Sequence, residues 1–289
     1  MATENAAQMD LEEIVRGAGD LPAMPDIAFR AMRMCDDPQS SLRDLQFLIS
    51  KDQALTARLL KIVNSAMFCF EREVSTLSHA ISILGLDRVR SILVAATMNQ
   101  MFPAGSAHGK DLTTKLFWEH SWGTAIAAKA LASQVGYPVV EEAFTCGLLH
   151  DIGKMLILKN RRQQYQVILN DVYLGETTFC DAEMRTFGFT HAQVGAVLAS
   201  KWHFPPQLAE GILYHHDFQN APEHRRLAAV VDLANHMMKL LEIGFEKDNT
   251  LKLEKEESVR YLNLTSLALE KRIAELRTMI STLSGLAHS

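Results

Sequence analysis

The chain has 289 residues, of which 48% are hydrophobic, 22% charged and 7% aromatic, and its formal net charge is −5. This composition excludes a disordered chain, and no apolar run approaches the roughly 18 residues of a membrane span. A mildly acidic chain without a clustered basic surface is not expected to bind nucleic acids directly. The four cysteines form no CxxC pair, and the first residues lack the pattern of a secretory signal. We therefore expect a cytoplasmic protein without disulfides and without a membrane partner.

Apolar residues recur at three- and four-residue spacing along most of the chain, and this pattern predicts amphipathic helices and an all-α fold. In the first part of the chain, the predicted helices span residues 25–36, 41–50, 52–66, 77–84 and 86–101. Ser41 and Asp52 are predicted N-caps, Pro25 suits a first helical turn, and Gly85 separates the last two helices.

The segment FPAGSAHGKD, residues 102–111, interrupts this periodicity and is the predicted boundary between two parts. The helices predicted beyond it span residues 112–135, 139–158, 160–173, 178–187, 190–202, 206–216, 223–243 and 265–283. The charged stretch after Gly244 is interpreted as a solvated loop or a frayed helix. The predicted organisation is an N-terminal extension (1–14), a smaller helical subdomain (15–102), a helical bundle (111–243) and a charged connector with a C-terminal helix (244–289).

Histidines are concentrated in the second part, where nine of the 11 fall between residues 108 and 236. The most informative segment is GLLHDIGKMLIL, in which an apolar helical pattern carries His150 and Asp151 side by side and Lys154 one turn after His150. Burying these polar groups without partners would cost several kcal/mol, so we expect them to be paired. A divalent metal ion would satisfy the imidazole and the carboxylate together.

One His-Asp pair supplies too few ligands, so other segments of the chain must provide the rest. The candidates within or at the end of apolar helical patterns are His120, His191, His215, His216 and Asp232, with His236 in reserve. Helical bundles build metal sites from inward side chains of several facing helices in this way. Any one of these histidines alone is more often an ordinary hydrogen-bonded residue than a ligand. Only their joint pattern favours a metal site.

The order of these residues, H…HDxxK…H…HH…D, resembles the HD superfamily of metal-dependent phosphohydrolases, and most closely the HD-GYP cyclic di-GMP phosphodiesterases. The ligands that this resemblance implies for two divalent ions (Fe, Mn, Ni or Zn) are His120, His150, Asp151, His191, His215, His216 and Asp232. Asp151 would bridge the ions and Lys154 would contact a substrate phosphate, so these two are the candidate catalytic residues. Leu116 replaces the additional Glu of some HD-GYP enzymes, and the GYP signature is missing after His216. The resemblance therefore implies neither a third metal nor specificity for cyclic di-GMP.

The first part of the chain closely resembles the HDOD domain, the HD-related output domain of bacterial signalling proteins. The resemblance is carried by an LPxxP opening and by the blocks ISKDQALTARLLKIVNSA and AISILGLDRVR, and it covers about residues 15–243. It implies a multi-helix HD-like bundle preceded by a smaller N-terminal helical subdomain. Many members of this family have lost the metal ligands and are regarded as regulatory scaffolds, whereas this chain has the full set.

Two functions follow from these resemblances. The first is a stand-alone signalling or regulatory output protein with a retained two-metal site, whose partner is a signalling protein or a nucleotide. The alternative is a metal-dependent phosphohydrolase, a phosphodiesterase or phosphomonoesterase that acts on a nucleotide or a cyclic dinucleotide.

Overall fold

The computed structural model describes residues 25–37, 39–64, 73–101 and 112–283. Every regular element in these ranges is helical, which confirms the predicted all-α fold class. The α-helices are α1 (Asp26–Asp36), α2 (Leu42–Ser50), α3 (Gln53–Val63), α4 (Leu77–Met101), α5 (Leu112–Gln134), α6 (Val140–Leu149), α7 (Ile152–Asn160), α8 (Arg162–Tyr173), α9 (Phe179–Phe187), α10 (His191–Lys201), α11 (Pro206–Leu213), α12 (Arg225–Leu240), α13 (Glu257–Tyr261) and α14 (Ser266–Leu283). None of these helices has both the length and the apolar character that crossing a bilayer requires.

The helices fall into two compact units. One contains α1 to α4 and the part of α14 after Leu276, and the other contains α5 to α13 and α14 as far as Leu276. The predicted N-terminal extension (1–14) and the predicted boundary segment (102–111) lie outside the described residues. The predicted four-part organisation stays a prediction.

The unit with α1 to α4 follows the local signals in the sequence. Ser41 and Asp52 are both N-caps, because their side chains accept hydrogen bonds from backbone N–H groups of the following turn, at 3.1 and 2.9 Å. Gly85 interrupts α4 with a φ of 74°, which glycine adopts without steric cost. The helix predicted to reach residue 66 ends at Val63.

In the other unit, α5 packs against α6 and α12, while α10 packs against α7 and α11. Two glycines permit the closest of these approaches. A Cβ at Gly147 of α6 would lie 2.9 Å from the Cα of Ala125 in α5, and a Cβ at Gly153 of α7 would lie 2.0 Å from the carbonyl oxygen of His191 in α10. These contacts bring α6 close to α5 and α7 close to the start of α10.

Two of the helix boundaries that differ from their prediction lie at proposed ligands. The continuous helix predicted over 139–158 is wrong, because α6 ends at Leu149, α7 begins at Ile152, and His150 and Asp151 occupy the turn between them. Likewise α11 ends at Leu213, so the two histidines that follow lie beyond the helix instead of within it. Apolar periodicity continues through both breaks, and it therefore did not reveal them.

Candidate metal centre

The structure brings six of the seven predicted ligands together. His120 projects from α5, His191 is the first residue of α10, and the others lie in the α6–α7 turn and after α11. Their ligand atoms form two groups, each within 4.8 Å: His120, His150 and Asp151, and Asp151, His191, His215 and His216. We call these the first and the second group. Asp151 belongs to both.

The two carboxylate oxygens of Asp151 face different groups. Oδ2 lies 3.5 Å from Nε2 of His120 and 3.4 Å from Nε2 of His150. Oδ1 lies 3.2 Å from Nε2 of His191 and 3.8 Å from Nε2 of His215. Ligand atoms that bind one ion at about 2.0–2.2 Å are themselves separated by about 3–3.5 Å, so these spacings suit metal coordination.

Backbone carbonyls orient three of the imidazoles. Nδ1 of His150 and Nδ1 of His215 each lie 2.7 Å from the carbonyl oxygen three residues earlier, and Nδ1 of His120 lies 3.0 Å from that of Ile243. A hydrogen on Nδ1 donates to each carbonyl and leaves the Nε2 lone pair free, as in metal-binding histidines. The Nε2 atoms of His120 and His150 then face each other at 3.2 Å. A cation bound to both would relieve the repulsion between their lone pairs.

Two ligand atoms are buried without hydrogen-bond partners among the described residues, namely Oδ1 of Asp151 and Nε2 of His215. Leaving such atoms unpaired in the protein interior costs free energy, and metal coordination removes that cost. The imidazole and carboxylate donors suit first-row divalent ions such as iron, manganese, nickel and zinc. The residues present therefore fit a divalent metal.

Burial and charge favour the metal-binding protonation states of His120, Asp151, His215 and His216. Desolvation lowers the pKa of His120 to about 4. Desolvation and the neighbouring histidines hold the pKa values of His215 and His216 well below their ordinary value. Although burial raises the pKa of Asp151, its interactions with His150 and with the Lys154 ammonium hold it well below its usual range. Neutral imidazoles and an ionised carboxylate are the metal-binding forms.

Glu183, which the sequence analysis did not select, orients the imidazole of His191. It is fully buried in α9 and accepts hydrogen bonds from Nδ1 of His191 at 2.6 Å, from the backbone N–H of His191 at 2.7 Å and from the Tyr165 hydroxyl at 2.7 Å. Burial opposes protonation of His191, but the Glu183 carboxylate raises its pKa. The sequence contains one sign of this role: Glu183 is an acidic residue on the same helical face as Phe179, at a position where the helical pattern favours an apolar residue.

We expect Glu183→Gln to weaken metal binding about 10- to 100-fold, because the amide is a weaker acceptor and no longer fixes the orientation of His191. Competition with a chromogenic chelator measures this affinity. Glu176→Gln is the matched control, since Glu176 is exposed. Equal affinities in the two folded variants would contradict the role of Glu183.

Lys154 is buried beside both groups. Its ammonium donates a hydrogen bond to Oδ2 of Asp151 at 2.7 Å and lies 3.9 Å from the centre of the Phe179 ring. Burial opposes its charge, yet neighbouring carboxylates, Asp151 first, raise its pKa, so it remains an ammonium. A small cavity adjoins it. The cavity is lined by Phe117, His120, Asp151, Lys154, Phe179, Phe245 and Glu246.

Phe245 and Glu246 belong to the stretch that the sequence analysis interpreted as a solvated loop or a frayed helix. Both side chains are half-buried against the cavity instead. Their place in the site depends on contacts with helices far away in the sequence, and the local run of charged residues gave no sign of it.

Asp232 lies outside both groups of ligands. Its Oδ2 is 3.4 Å from Nδ1 of His236, one turn later on α12. The reserve ligand His236 therefore pairs with Asp232, and its Nε2 lies 3.9 Å from a carboxylate oxygen of Glu256. The assignment of Asp232 as a ligand stays a prediction.

Comparison with known proteins agrees with this fold. The family model of the HDOD domain matches residues 21–218, a range that lies within the predicted 15–243 and ends before Asp232. A protein of Treponema pallidum (strain Nichols), described as uncharacterized, is 28% identical over 228 residues, which are 77% of this chain and 43% of that protein. The chain thus spans less than half the length of this relative.

Two crystal structures share the architecture. An HDOD domain protein with unknown function from Geobacter sulfurreducens matches with a TM-score of 0.77 and 28% identity, covering 96% of this chain and 98% of that one. A protein from Shewanella amazonensis SB2B, named "Putative phosphohydrolase", matches with a TM-score of 0.75 and 23% identity, covering 95% and 97% of the two chains.

Proposed function

The chain belongs to the HDOD domain family, and from this premise we propose that it is a bacterial signalling protein whose output depends on a centre of two divalent metal ions. Its partner is a signalling protein or a nucleotide, bound in the cytoplasm. The observation that carries the proposal is the placement of Asp151, whose two oxygens face separate groups of histidines at 3.2–3.8 Å. His120 and His150 would hold one ion with Oδ2, and the second group would hold the other with Oδ1.

The closed state of the site favours ligand-dependent signalling over turnover. The cavity leaves little free space beside Lys154, and the phenyl rings of Phe117, Phe179 and Phe245 are part of its lining. Lys154 is already hydrogen-bonded to Asp151. A site closed in this way suits a protein that changes shape when it binds a ligand.

Elemental analysis of the purified protein tests the metal centre. We expect close to two transition-metal ions per chain, and we expect their removal by a chelator to lower the melting temperature, because an ion at 100 times its Kd stabilises the folded state by about 2.7 kcal/mol. A protein that cannot be loaded with any such ion would refute the proposal.

A pull-down experiment tests the signalling role. Native and metal-stripped protein are used as baits to recover binding partners from the native cytoplasm. If the metal-loaded form recovers no partner reproducibly, the result counts against the signalling role.

A metal-dependent phosphohydrolase is the second candidate, favoured by the position of Lys154. Its ammonium, 2.7 Å from Asp151, lines the cavity beside both groups of ligands. Bound divalent ions would supply Lewis acidity to a phosphoester and activate water. Lys154 would orient a phosphoryl oxygen, Asp151 would hold the metal centre together, and Glu183 would keep His191 in place.

Hydrolysis of bis-p-nitrophenyl phosphate and of cyclic dinucleotides, with Mn²⁺ or Fe²⁺, tests this candidate. We expect Lys154→Gln to lower kcat/KM about 100-fold, as the loss of one charge-stabilising donor does in other enzymes. Lys159→Gln, at an exposed position of α7, is the control. Turnover that persists unchanged in Asp151→Asn would come from a contaminant and would rule out hydrolysis by this site.

A further inference from the structure

Residues 243–247, which we call the strap, follow α12 and lie against the metal centre. The carbonyl oxygen of Ile243 accepts the hydrogen bond from Nδ1 of His120 at 3.0 Å. Gly244 has a φ of 102°, and a Cβ there would lie 3.0 Å from the His120 ring. The strap thus contacts a metal ligand directly, and only glycine permits so close an approach.

The next residue of the strap completes an apolar wall of the cavity. The ring centre of Phe245 lies 5.1 Å from that of Phe117 and 6.4 Å from that of Phe179. Phe179 is also the ring beneath the Lys154 ammonium.

Glu246 places a carboxylate in this cavity, which it shares with Lys154. Its Oε2 pairs with the Lys239 ammonium at 2.8 Å, and its Oε1 accepts the backbone N–H of Phe179 at 3.4 Å. Although burial raises the pKa of Glu246, the charges of Lys239 and Lys154 lower it, so the group is ionised. A phosphoryl group that entered the cavity would seek the same ammonium and N–H donors.

The strap is attached to the rest of the fold in a way that allows it to move. Backbone hydrogen bonds anchor it at both ends, from Ile243 N to Met238 O and from Asp248 N to Lys239 O, each 3.0 Å long. Between these anchors, Phe245 and Glu246 reach the site through their side chains. Lifting this part breaks a few contacts and leaves the helices intact.

We propose that the strap is a built-in closure of the metal centre, in which the Glu246 carboxylate occupies the position that a phosphoryl group of the ligand takes beside Lys154 and Lys239. An anionic ligand displaces Glu246 because two anions do not share one set of donors, and the strap then lifts to admit the rest of the ligand. This inference rests on the proposed function and adds to it how the same site is regulated.

Binding of inorganic phosphate to the metal-loaded full chain, measured by isothermal titration calorimetry, tests the closure. We expect Glu246→Gln to bind phosphate at least tenfold more tightly than the native protein, because the competing charge is gone while the side chain keeps its size. Glu254→Gln removes one charge from an exposed position of the same connector and is the matched control. We expect its phosphate affinity to equal that of the native protein.

Hydrogen exchange on the native chain provides a second measurement that needs no variant. We expect saturating phosphate to speed amide exchange in residues 243–247 of the metal-loaded protein, since the strap is released. If Glu246→Gln binds phosphate no more tightly than Glu254→Gln, or if phosphate leaves exchange in the strap unchanged or slower, the closure is refuted while the metal centre stands. A chain that takes up no metal would refute the proposed function and, with it, the closure.

Discussion

Asp151→Asn is expected to empty the metal centre and to lower the free energy of unfolding by about 3–5 kcal/mol. Metal is lost because one carboxylate serves both groups of histidines. Stability is lost because Lys154, whose side chain is only 4% exposed, keeps its charge but loses the carboxylate that lies 2.7 Å away. A buried charge deprived of its partner is among the most costly defects that a single substitution creates.

Elemental analysis and chemical denaturation measure the two effects separately. Asp171→Asn, in α8 and outside both groups, is the matched control and should retain the metal and the stability of the native protein. Adding Lys154→Met to Asp151→Asn is expected to restore part of the stability without restoring the metal, because the unpaired ammonium is removed while the bridging carboxylate is still missing. An Asp151→Asn protein that still binds two ions would contradict the shared-ligand geometry.

Gly153→Ala is expected to cost about 3 kcal/mol of stability and to weaken the second group of ligands. The added Cβ would lie 2.0 Å from the carbonyl oxygen of His191 and 2.9 Å from the backbone nitrogen of Gly195. Both obstacles are main-chain atoms, so the clash is relieved only if α7 and α10 move apart. That movement carries His191 away from Asp151.

Gly195→Ala, also in α10, adds a Cβ that meets a softer obstacle. Its Cβ would meet the side-chain Cγ2 of Ile212 at 2.9 Å, an atom that can shift when its side chain rotates. Urea unfolding of the two variants should therefore show a larger loss for Gly153→Ala, together with a lower metal content. Equal losses of stability in the two variants would indicate that the close approach at Gly153 is not what sets the helix spacing.

The local parts of the fold were predictable because their signals are local. The caps at Ser41 and Asp52 and the break at Gly85 depend on residues within one turn, and the structure has all three. The turn at His150 and Asp151 was not predictable from periodicity, since apolar residues continue on both sides of it. In that turn the two side chains both reach the proposed metal centre, and Asp151 presents one oxygen to each group of predicted ligands.

The residues that the sequence analysis did not identify are those that act through distant contacts. Glu183 is eight residues from His191 in sequence and touches it only because α9 and α10 fold back on each other. Glu246 stands in a run of charged residues, and its burial depends on α9 and α12. Charge patterns describe the average behaviour of a segment, whereas the packing around one side chain decides its role.

The sequence by itself determined the helical class, the resemblance to the HDOD family and the residue types available for a metal centre, because periodicity, caps and motifs are properties of short stretches of chain. Only the tertiary structure decided which of these residues meet. It brought six of the predicted ligands together around Asp151, placed Asp232 beside His236 and outside both groups, and positioned the strap against His120. The physical reason is that convergence depends on how closely the helices pack, and that spacing is set by close contacts such as those of Gly147 in α6 with α5 and of Gly153 in α7 with α10.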